Sequence, residues 1–432
     1  MPSDTLVLAK NVLAFLVTYL PQAALQRLAA AYHRWTWHAR DDAKTVVVLG
    51  GSFAGIELVR RLCETLPTGY RVVLIEKNSH LNYSFVFPRF AVMSGQEHKA
   101  FIPYDDFERG VPAGMLSRVR DVAVGITENQ VLLKSGLPVA YDLLAIATGS
   151  SQPLPAQAAS TDLEDACEEL RRVQQLIEQS QRIAVVGGGA VGVELAGDIK
   201  DFHPEKEVTL VHSRGELLGN FGSRLREHAL GVLRDELGVR VVLNERPKMP
   251  AGNLVQDDSL VFSEGHKEDF DLIIGCTGQH PNSWPLKAHL PQAICPDTSL
   301  IKVQPTLQVL GSERIFAFGD VADHGGPRMA RAGWLQSGIV LDNMLAMVSN
   351  KTPTRTYKPS PFIEGAIKLT LGRSRSVVYS AGSDGLDVLL PARGGRLDLD
   401  IGRAWRQYGA DLGASMDSIA GKGHEEAGEA RL

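Results

Sequence analysis

Two short runs of small residues in this chain have the spacing needed to hold a pyrophosphate on backbone amides. The first, V-V-V-L-G-G-S-F-A-G-I-E-L, places Gly50, Gly51, Ser52, Phe53, Ala54 and Gly55 between a β-branched segment and a helical one. Gly50 permits a tight strand-to-helix turn, Gly55 permits close packing of helix on strand, and the backbone between them approaches the phosphates. Negative charge is favoured there because unpaired N–H groups and the helix dipole both point at it. Ser52 stands where the usual fingerprint has its middle glycine, which crowds the site slightly and adds a hydroxyl donor. Glu76 ends the next β-branched run, where a carboxylate accepts hydrogen bonds from ribose hydroxyls. The second run, I-A-V-V-G-G-G-A-V-G-V-E-L, is complete, with Gly187, Gly189 and Gly192 in register.

One such turn implies a dehydrogenase; two imply electron transfer between two bound nucleotides. The spacing from Gly50 to Glu76, repeated from Gly187, lands on Ser213, flanked by His212 and Arg214. An acidic residue there would repel a 2′-phosphate, whereas Ser213 and Arg214 can bind one. The first turn therefore suits FAD, and the second accepts NADPH as well as NADH. Thr148-Gly149 and Thr277-Gly278 each follow a strand-like run, at the strand end where open α/β sheets bind ligands. Asp320, in R-I-F-A-F-G-D-V-A-D, is placed to accept a hydrogen bond from the ribityl chain of the flavin, or else to cap a helix. Met329 opens a further helix whose N–H groups would stabilise charge on a reduced flavin. Since the cofactor carries such chemistry, no catalytic side chain is required, and His203, His280 and His324 are not nominated.

The elements that must position these residues alternate as strand and helix, which marks a parallel sheet with crossover helices. Strands are expected at Thr45–Leu49, Arg71–Ile75, Leu143–Ala147, Arg182–Val186, Val208–Val211, Leu272–Ile274 and Arg314–Phe318. Helices are expected at Ala54–Leu66, Ala190–Phe202 and Met329–Val348, with a small antiparallel insertion at Val119–Ile126 and Val131–Lys134. The fold class is α/β: two interleaved Rossmann-like domains, a small C-terminal α+β segment and an N-terminal hydrophobic helix. The expected divisions are an N-terminal segment at 1–43, FAD-binding parts at 44–155 and 299–350, an NAD(P)H-binding domain at 156–298, an interface segment at 351–410 and a disordered tail at 411–432.

At 432 residues and 44% apolar content the chain can bury two or three cores. A net charge of -5 without a long basic run excludes nucleic acid as a leading partner. Cys63, Cys167, Cys276 and Cys295 are scattered, with neither a redox dithiol nor zinc-ligand spacing, so no metal is expected. Leu6 to Leu20 is almost uniformly apolar, and Pro21 is expected to interrupt it. Leu25, Leu28, Ala29 and Tyr32 then repeat at helical spacing, beside Arg27, Arg34, Arg40, Trp35 and Trp37, with no acid between Asp4 and Asp41. The run is shorter than the roughly 20 residues that span a bilayer, so a helix lying in the membrane interface is expected; packing against the body, a partner subunit or a homodimer remains an alternative.

With these motifs in order, from about Lys44 to about Arg406, the chain resembles the apoptosis-inducing-factor family of flavoproteins, including its ferroptosis-suppressor members. The most specific stretch is Gly187 to Lys200, joined by A-F-G-D-V-A-D around Asp320, P-R-M-A before the last long helix, and the segments at Tyr357 and Leu371. The resemblance implies an FAD-dependent NAD(P)H:quinone oxidoreductase acting on lipophilic quinones at a membrane surface. It also implies FAD contacts at Gly50 to Ala54, Glu76, Arg89, Ala123 and Asp320, with Gly187 to Gly192 and Glu194 lining the nicotinamide nucleotide. The chain begins Met1-Pro2, which departs from the Met-Gly start that carries a myristoyl group in the ferroptosis-linked member. The expected location is a cytosol-facing membrane surface (mitochondrial outer membrane, endoplasmic reticulum or lipid droplet), with the cytoplasm second. A flavoenzyme tailoring specialised metabolites and a non-catalytic, nucleotide-sensing flavoprotein stay open as alternatives.

Overall fold

The computed structural model describes residues 4–104, 107–382 and 387–413. Five parallel strands form the first sheet, in the order Ile315–Ala317, Leu143–Ile146, Lys44–Leu49, Tyr70–Glu76, Leu116–Arg120. Their β-branched runs are buried on both faces: Val46, Val48, Val72 and Leu74 cluster with Ile56, Leu58 and Val59 on one side, and Val47, Val73 and Ile75 with Ala123, Ile126, Val131 and Leu133 on the other. Helix α1 (Asp4–Thr36) precedes this sheet, and α2 (Phe53–Cys63) and the short α3 (Phe87–Phe90) follow its first strands. A second sheet of five strands, in the order Arg240–Val242, Glu207–Val211, Arg182–Val186, Lys267–Gly275, Leu254–Val261, is parallel except for the last strand. It carries α4 (Leu163–Gln179), α5 (Ala190–Phe202) and α6 (Ser223–Gly231). The chain then returns, adding Ile315–Ala317 to the first sheet before α7 (Ala330–Val348) packs on α2. The two units are therefore interleaved. Helix α8 (Pro361–Glu364), a three-stranded antiparallel sheet at Ile367–Thr370, Arg375–Ser380 and Val388–Arg393, and α9 (Ile401–Gln407) complete the described chain.

The expected antiparallel run at Val119–Ile126 is two elements. Val119 and Arg120 finish the parallel strand that pairs with Tyr70–Glu76, while Ala123–Ile126 opens an antiparallel meander with Gln130–Leu133 and Pro138–Ala140. Asp121 turns the chain between them, its carboxylate accepting from the N–H groups of Val122 at 2.6 Å and Ser135 at 3.2 Å. Most of the tail expected at 411–432 lies outside the described residues.

The expected break at Pro21 is absent, since α1 is one helix of 33 residues running through it. A proline removes a backbone bond, but Pro21 is exposed, so water can serve the carbonyl it releases. The helix is held at its ends: Asp4 pairs with Arg224 and accepts from the N–H of Leu389, and His33 Nε2 lies 2.6 Å from the Leu66 carbonyl oxygen. Between these anchors Leu6, Leu13, Val17, Leu20, Leu28 and Trp35 are exposed, and their spacing places them on the side away from Asp4 and His33. Among the described residues no helix is long and apolar enough to cross a membrane.

Candidate active site

The first turn is built by steric necessity. Gly50 has φ +102°, and a Cβ there would lie 2.5 Å from the carbonyl oxygen of Ala147 on the adjacent strand. A Cβ on Gly55 would fall inside the carbonyl oxygen of Gly50, so helix and strand meet only because both are glycine. Glu76 closes the turn from below, accepting from Gly51 N–H at 2.6 Å and Asn78 N–H at 2.9 Å, while the Tyr104 hydroxyl donates to the Gly51 carbonyl at 2.8 Å. Burial raises the Glu76 carboxyl above its usual range. Ala123, buried at the start of the meander, lies just past Arg120, the register partner of Glu76.

The second turn repeats the design. Gly187 has φ +130° and abuts the Cys276 carbonyl oxygen, and a Cβ on Gly192 would overlap Gly187 as at the first site. Gly188 N–H meets His212 Nδ1 at 3.1 Å, and burial holds His212 toward its neutral form, which leaves that nitrogen free to accept. Ser213 and Arg214 follow, both exposed, at the rim. Replacing Arg214 with Ala is expected to raise the KM for NADPH about ten-fold while leaving that for NADH nearly unaltered, since only the former offers a 2′-phosphate to a guanidinium. Equal changes for both nucleotides in steady-state assays would remove Arg214 from this role.

The two Thr-Gly turns, far apart in sequence, are stitched together. Thr148 Oγ1 donates to the Asn282 carbonyl at 2.8 Å, Asn282 Nδ2 donates back to the Thr148 carbonyl at 3.0 Å, and Ser150–Ser151 pairs antiparallel with His280–Pro281. Beside Thr277-Gly278, Gln279 Nε2 donates both to Ser150 Oγ at 2.7 Å and to Asp320 Oδ2 at 3.0 Å. Gln279 thus joins the second unit to the acid expected to hold the ribityl chain. Asp320 is pushed above the ordinary carboxylate range, chiefly by burial. Its neighbour Gly319 donates its N–H to Gln336 Oε1 at 2.7 Å, and Ala54 Cβ is the meeting point of Gly319 and Gly333. The pyrophosphate turn, the Asp320 turn and the start of α7 therefore converge on one place. Gln279, Asn282, Gln336 and Tyr104 carry no local motif, so nothing near them in the sequence marks them as site residues.

Two residues stand elsewhere than expected. Arg89, expected at the flavin, is engaged within the protein: its Nε donates to Asp198 Oδ2 at 2.9 Å, Nη2 to the Gly372 carbonyl at 2.8 Å and Nη1 to the Leu397 carbonyl at 3.4 Å. All three nitrogens are committed, and the ion pair is sealed from solvent. Arg89 is thus a staple joining α3, α5 and the C-terminal segment. Glu194 Oε1 turns to that same segment, accepting from Thr370 N–H at 2.8 Å and Oγ1 at 3.0 Å. Burial pushes the Glu194 carboxyl up to about 7 and that of Asp198 up to about 6. Between about pH 4.5 and 7 the folded chain therefore holds a proton on Glu194 that the unfolded chain has released, so its stability contribution falls as pH rises. Thermal melts across that window are expected to slope less in a Glu194→Gln variant than in the parent, and parallel slopes would contradict the assignment.

The residues fit two bound dinucleotides. Helices α2, α5 and α7 begin at Ser52, Gly189 and Met329 without a side-chain cap, so their first-turn N–H groups are left for a ligand. The space at Gly189 is open, and the buried Gln336 Nε2 makes no hydrogen bond within the protein. Among the described residues there is no cluster able to hold a metal ion.

Two pyrophosphate cradles facing one junction define a two-nucleotide flavoprotein reductase. The family model described as pyridine nucleotide-disulphide oxidoreductase matches residues 44–337. The chain is 34% identical to Fe-regulated protein 8 of Mycosarcoma maydis over 85% of its own length and 96% of the relative's. It is 30% identical to ferroptosis suppressor protein 1 of Homo sapiens over 79% and 90%. Its fold matches the sulfide:quinone oxidoreductase of Aquifex aeolicus with a TM-score of 0.67 at 18% identity, covering 85% of this chain and 90% of that one. The chain belongs to the pyridine nucleotide-disulphide oxidoreductase family. It is an FAD-dependent oxidoreductase that uses NAD(P)H.

Proposed function

We propose that this enzyme is an NAD(P)H:quinone oxidoreductase of the cytosolic face of a membrane, converting NAD(P)H, a proton and a quinone to NAD(P)+ and a quinol. The observation that carries the membrane part is α1, whose apolar stripe faces outward over its length while both ends are clamped to the body. Such a helix lies in the interface with its apolar side among acyl chains, and Arg27 and Arg34 favour anionic headgroups. The quinone part rests on the likeness to the ferroptosis-suppressor proteins and on this placement, since a lipophilic acceptor concentrates where α1 sits.

Bound FAD supplies the two-electron carrier between nicotinamide and acceptor. The chain's own residues arrange that exchange. The Gly187–Gly192 turn holds the nicotinamide nucleotide by its pyrophosphate, Ser213 and Arg214 select its ribose, and Thr277-Gly278 borders its reactive end. The Gly50–Gly55 turn and Glu76 hold the other nucleotide, Thr148-Gly149 closes beside it, and Asp320, oriented by Gln279, accepts a hydroxyl donor. The first-turn N–H groups after Met329 stabilise negative charge that develops nearby.

The test is steady-state turnover with NADPH and a long-tailed quinone in anionic vesicles. Introducing Leu13→Glu and Leu20→Glu together, at side chains 63% and 58% exposed, is expected to cut vesicle binding at least ten-fold, because each forfeits about 1.5–3 kcal/mol of apolar burial. Turnover with a water-soluble quinone serves as the control. Undiminished sedimentation with vesicles would remove α1 as the anchor, and reaction with oxygen alone would favour a different acceptor.

A further inference from the structure

The two cradles correspond bond for bond. In the first sheet Leu49 pairs with Ile75, Gly50 donates its N–H to the Ile75 carbonyl at 2.9 Å, and Gly51 donates to the next residue, Glu76, at 2.6 Å. In the second sheet Val186 pairs with Val211, Gly187 donates to the Val211 carbonyl at 2.8 Å, and Gly188 donates to Nδ1 of the next residue, His212, at 3.1 Å. A Cβ on Gly51 would meet Cβ and Cγ of Glu76, and one on Gly188 would meet Cβ and Cγ of His212. The path from turn to strand end is one residue shorter in the second unit, so a spacing copied from the first lands on Ser213. Register and hydrogen bonding put His212 where Glu76 stands.

That exchange alters what the strand end offers a ribose. A carboxylate there only accepts, which suits ribose hydroxyls and repels a 2′-phosphate. The His212 ring is held in one tautomer: Nδ1 accepts from Gly188, so the ring proton sits on Nε2. Burial, and after it the charge of Arg214, favour the neutral ring. Nε2 reaches solvent and makes no hydrogen bond among the described residues. Ser213 and Arg214 follow it, both exposed. Among the described residues neither His212 nor Arg214 pairs with a carboxylate; Glu216 and Glu245, the acids nearest in sequence, are engaged by Arg226 and Ser263. The rim therefore presents donors where the first cradle presents an acceptor.

We infer that His212 sets the nucleotide preference of the second cradle: its Nε2–H, beside the Arg214 guanidinium, takes the 2′-phosphate of NADPH, which is bound in preference to NADH. This rests on the reading above that the Gly187–Gly192 turn holds the nicotinamide nucleotide, and it is independent of the acceptor. A 2′-hydroxyl also accepts from Nε2–H, but as a neutral acceptor it gains less than a phosphate does.

The experiment titrates the FAD-loaded, full-length protein with NADP+ and with NAD+ by calorimetry, with no acceptor present. The parent is expected to bind NADP+ about ten-fold more tightly. In His212→Glu the new carboxylate can keep the Gly188 bond, as Glu76 keeps that of Gly51. The affinity for NADP+ is expected to fall about 30-fold while that for NAD+ holds or rises, which reverses the order. In His212→Gln the amide accepts from Gly188 and still offers an N–H without negative charge, so the parental ratio is expected to survive within about three-fold. His212 loses this role if the parent binds both nucleotides equally, if the Glu variant keeps NADP+ ahead, or if the Gln variant reverses the order as fully as the Glu variant. Equal weakening of both nucleotides in both variants would make His212 a support of the turn and nothing more. A parent that binds neither nucleotide removes the nicotinamide nucleotide from this turn, and the role of His212 falls with that reading.

Discussion

Arg89→Met is expected to destabilise the protein by about 3–5 kcal/mol, because it leaves the carboxylate of Asp198 buried without its cation. The Gly372 carbonyl loses a charged donor at the same time. Denaturant midpoints measure this directly. Pairing the change with Asp198→Leu is expected to restore much of the loss, since an apolar pair of similar volume carries no uncompensated charge. A single-variant effect below about 1 kcal/mol would mean that the staple does not hold the two units together. The same guanidinium ties α3, which follows a strand of the first sheet, to α5 of the second sheet.

Asp320→Ala is expected to weaken FAD retention by about 10- to 100-fold, corresponding to the loss of one hydrogen bond to a charged group, worth about 1.5–3 kcal/mol. It also leaves Gln279 Nε2 with only Ser150 as a partner, loosening the link between the cradles. Bound flavin after gel filtration at low concentration, compared with the parent, reports the effect. Full occupancy in the variant would contradict the role given to this acid.

Both turns were legible in the sequence because their glycines answer local steric demands: Gly50 and Gly187 need positive φ, and Gly55 and Gly192 need the absence of a Cβ. The alternation of strand and helix was legible for the same reason, as each strand is buried on both faces and reads as a continuous apolar run. What could not be read is long-range. Gln279 meets Ser150 and Asp320 only after the second unit folds against the first, and nothing near it in the chain advertises that meeting. Arg89 looked like a flavin contact by resemblance, but its partner lies over a hundred residues away on α5. The division between Arg120 and Ala123 was hidden because apolar runs flank it on both sides, and the turn depends on Asp121 reaching Ser135 across the meander. Pro21 misled because only the local cost of an interior proline is legible, whereas α1 is fixed at its ends by the contacts of Asp4 with Arg224 and of His33 with Leu66, which are remote in sequence.

The proposed electron route requires two cradles that bring a nicotinamide and a flavin together in one chain. It is tested most directly by anaerobic mixing of the purified, FAD-loaded protein with NADPH, followed by a short-chain quinone, while the visible flavin absorbance is recorded. Bleaching on the first addition and recovery on the second is the predicted result. A folded protein that binds no FAD, or bound flavin that stays oxidised through excess NADH and NADPH, would contradict it.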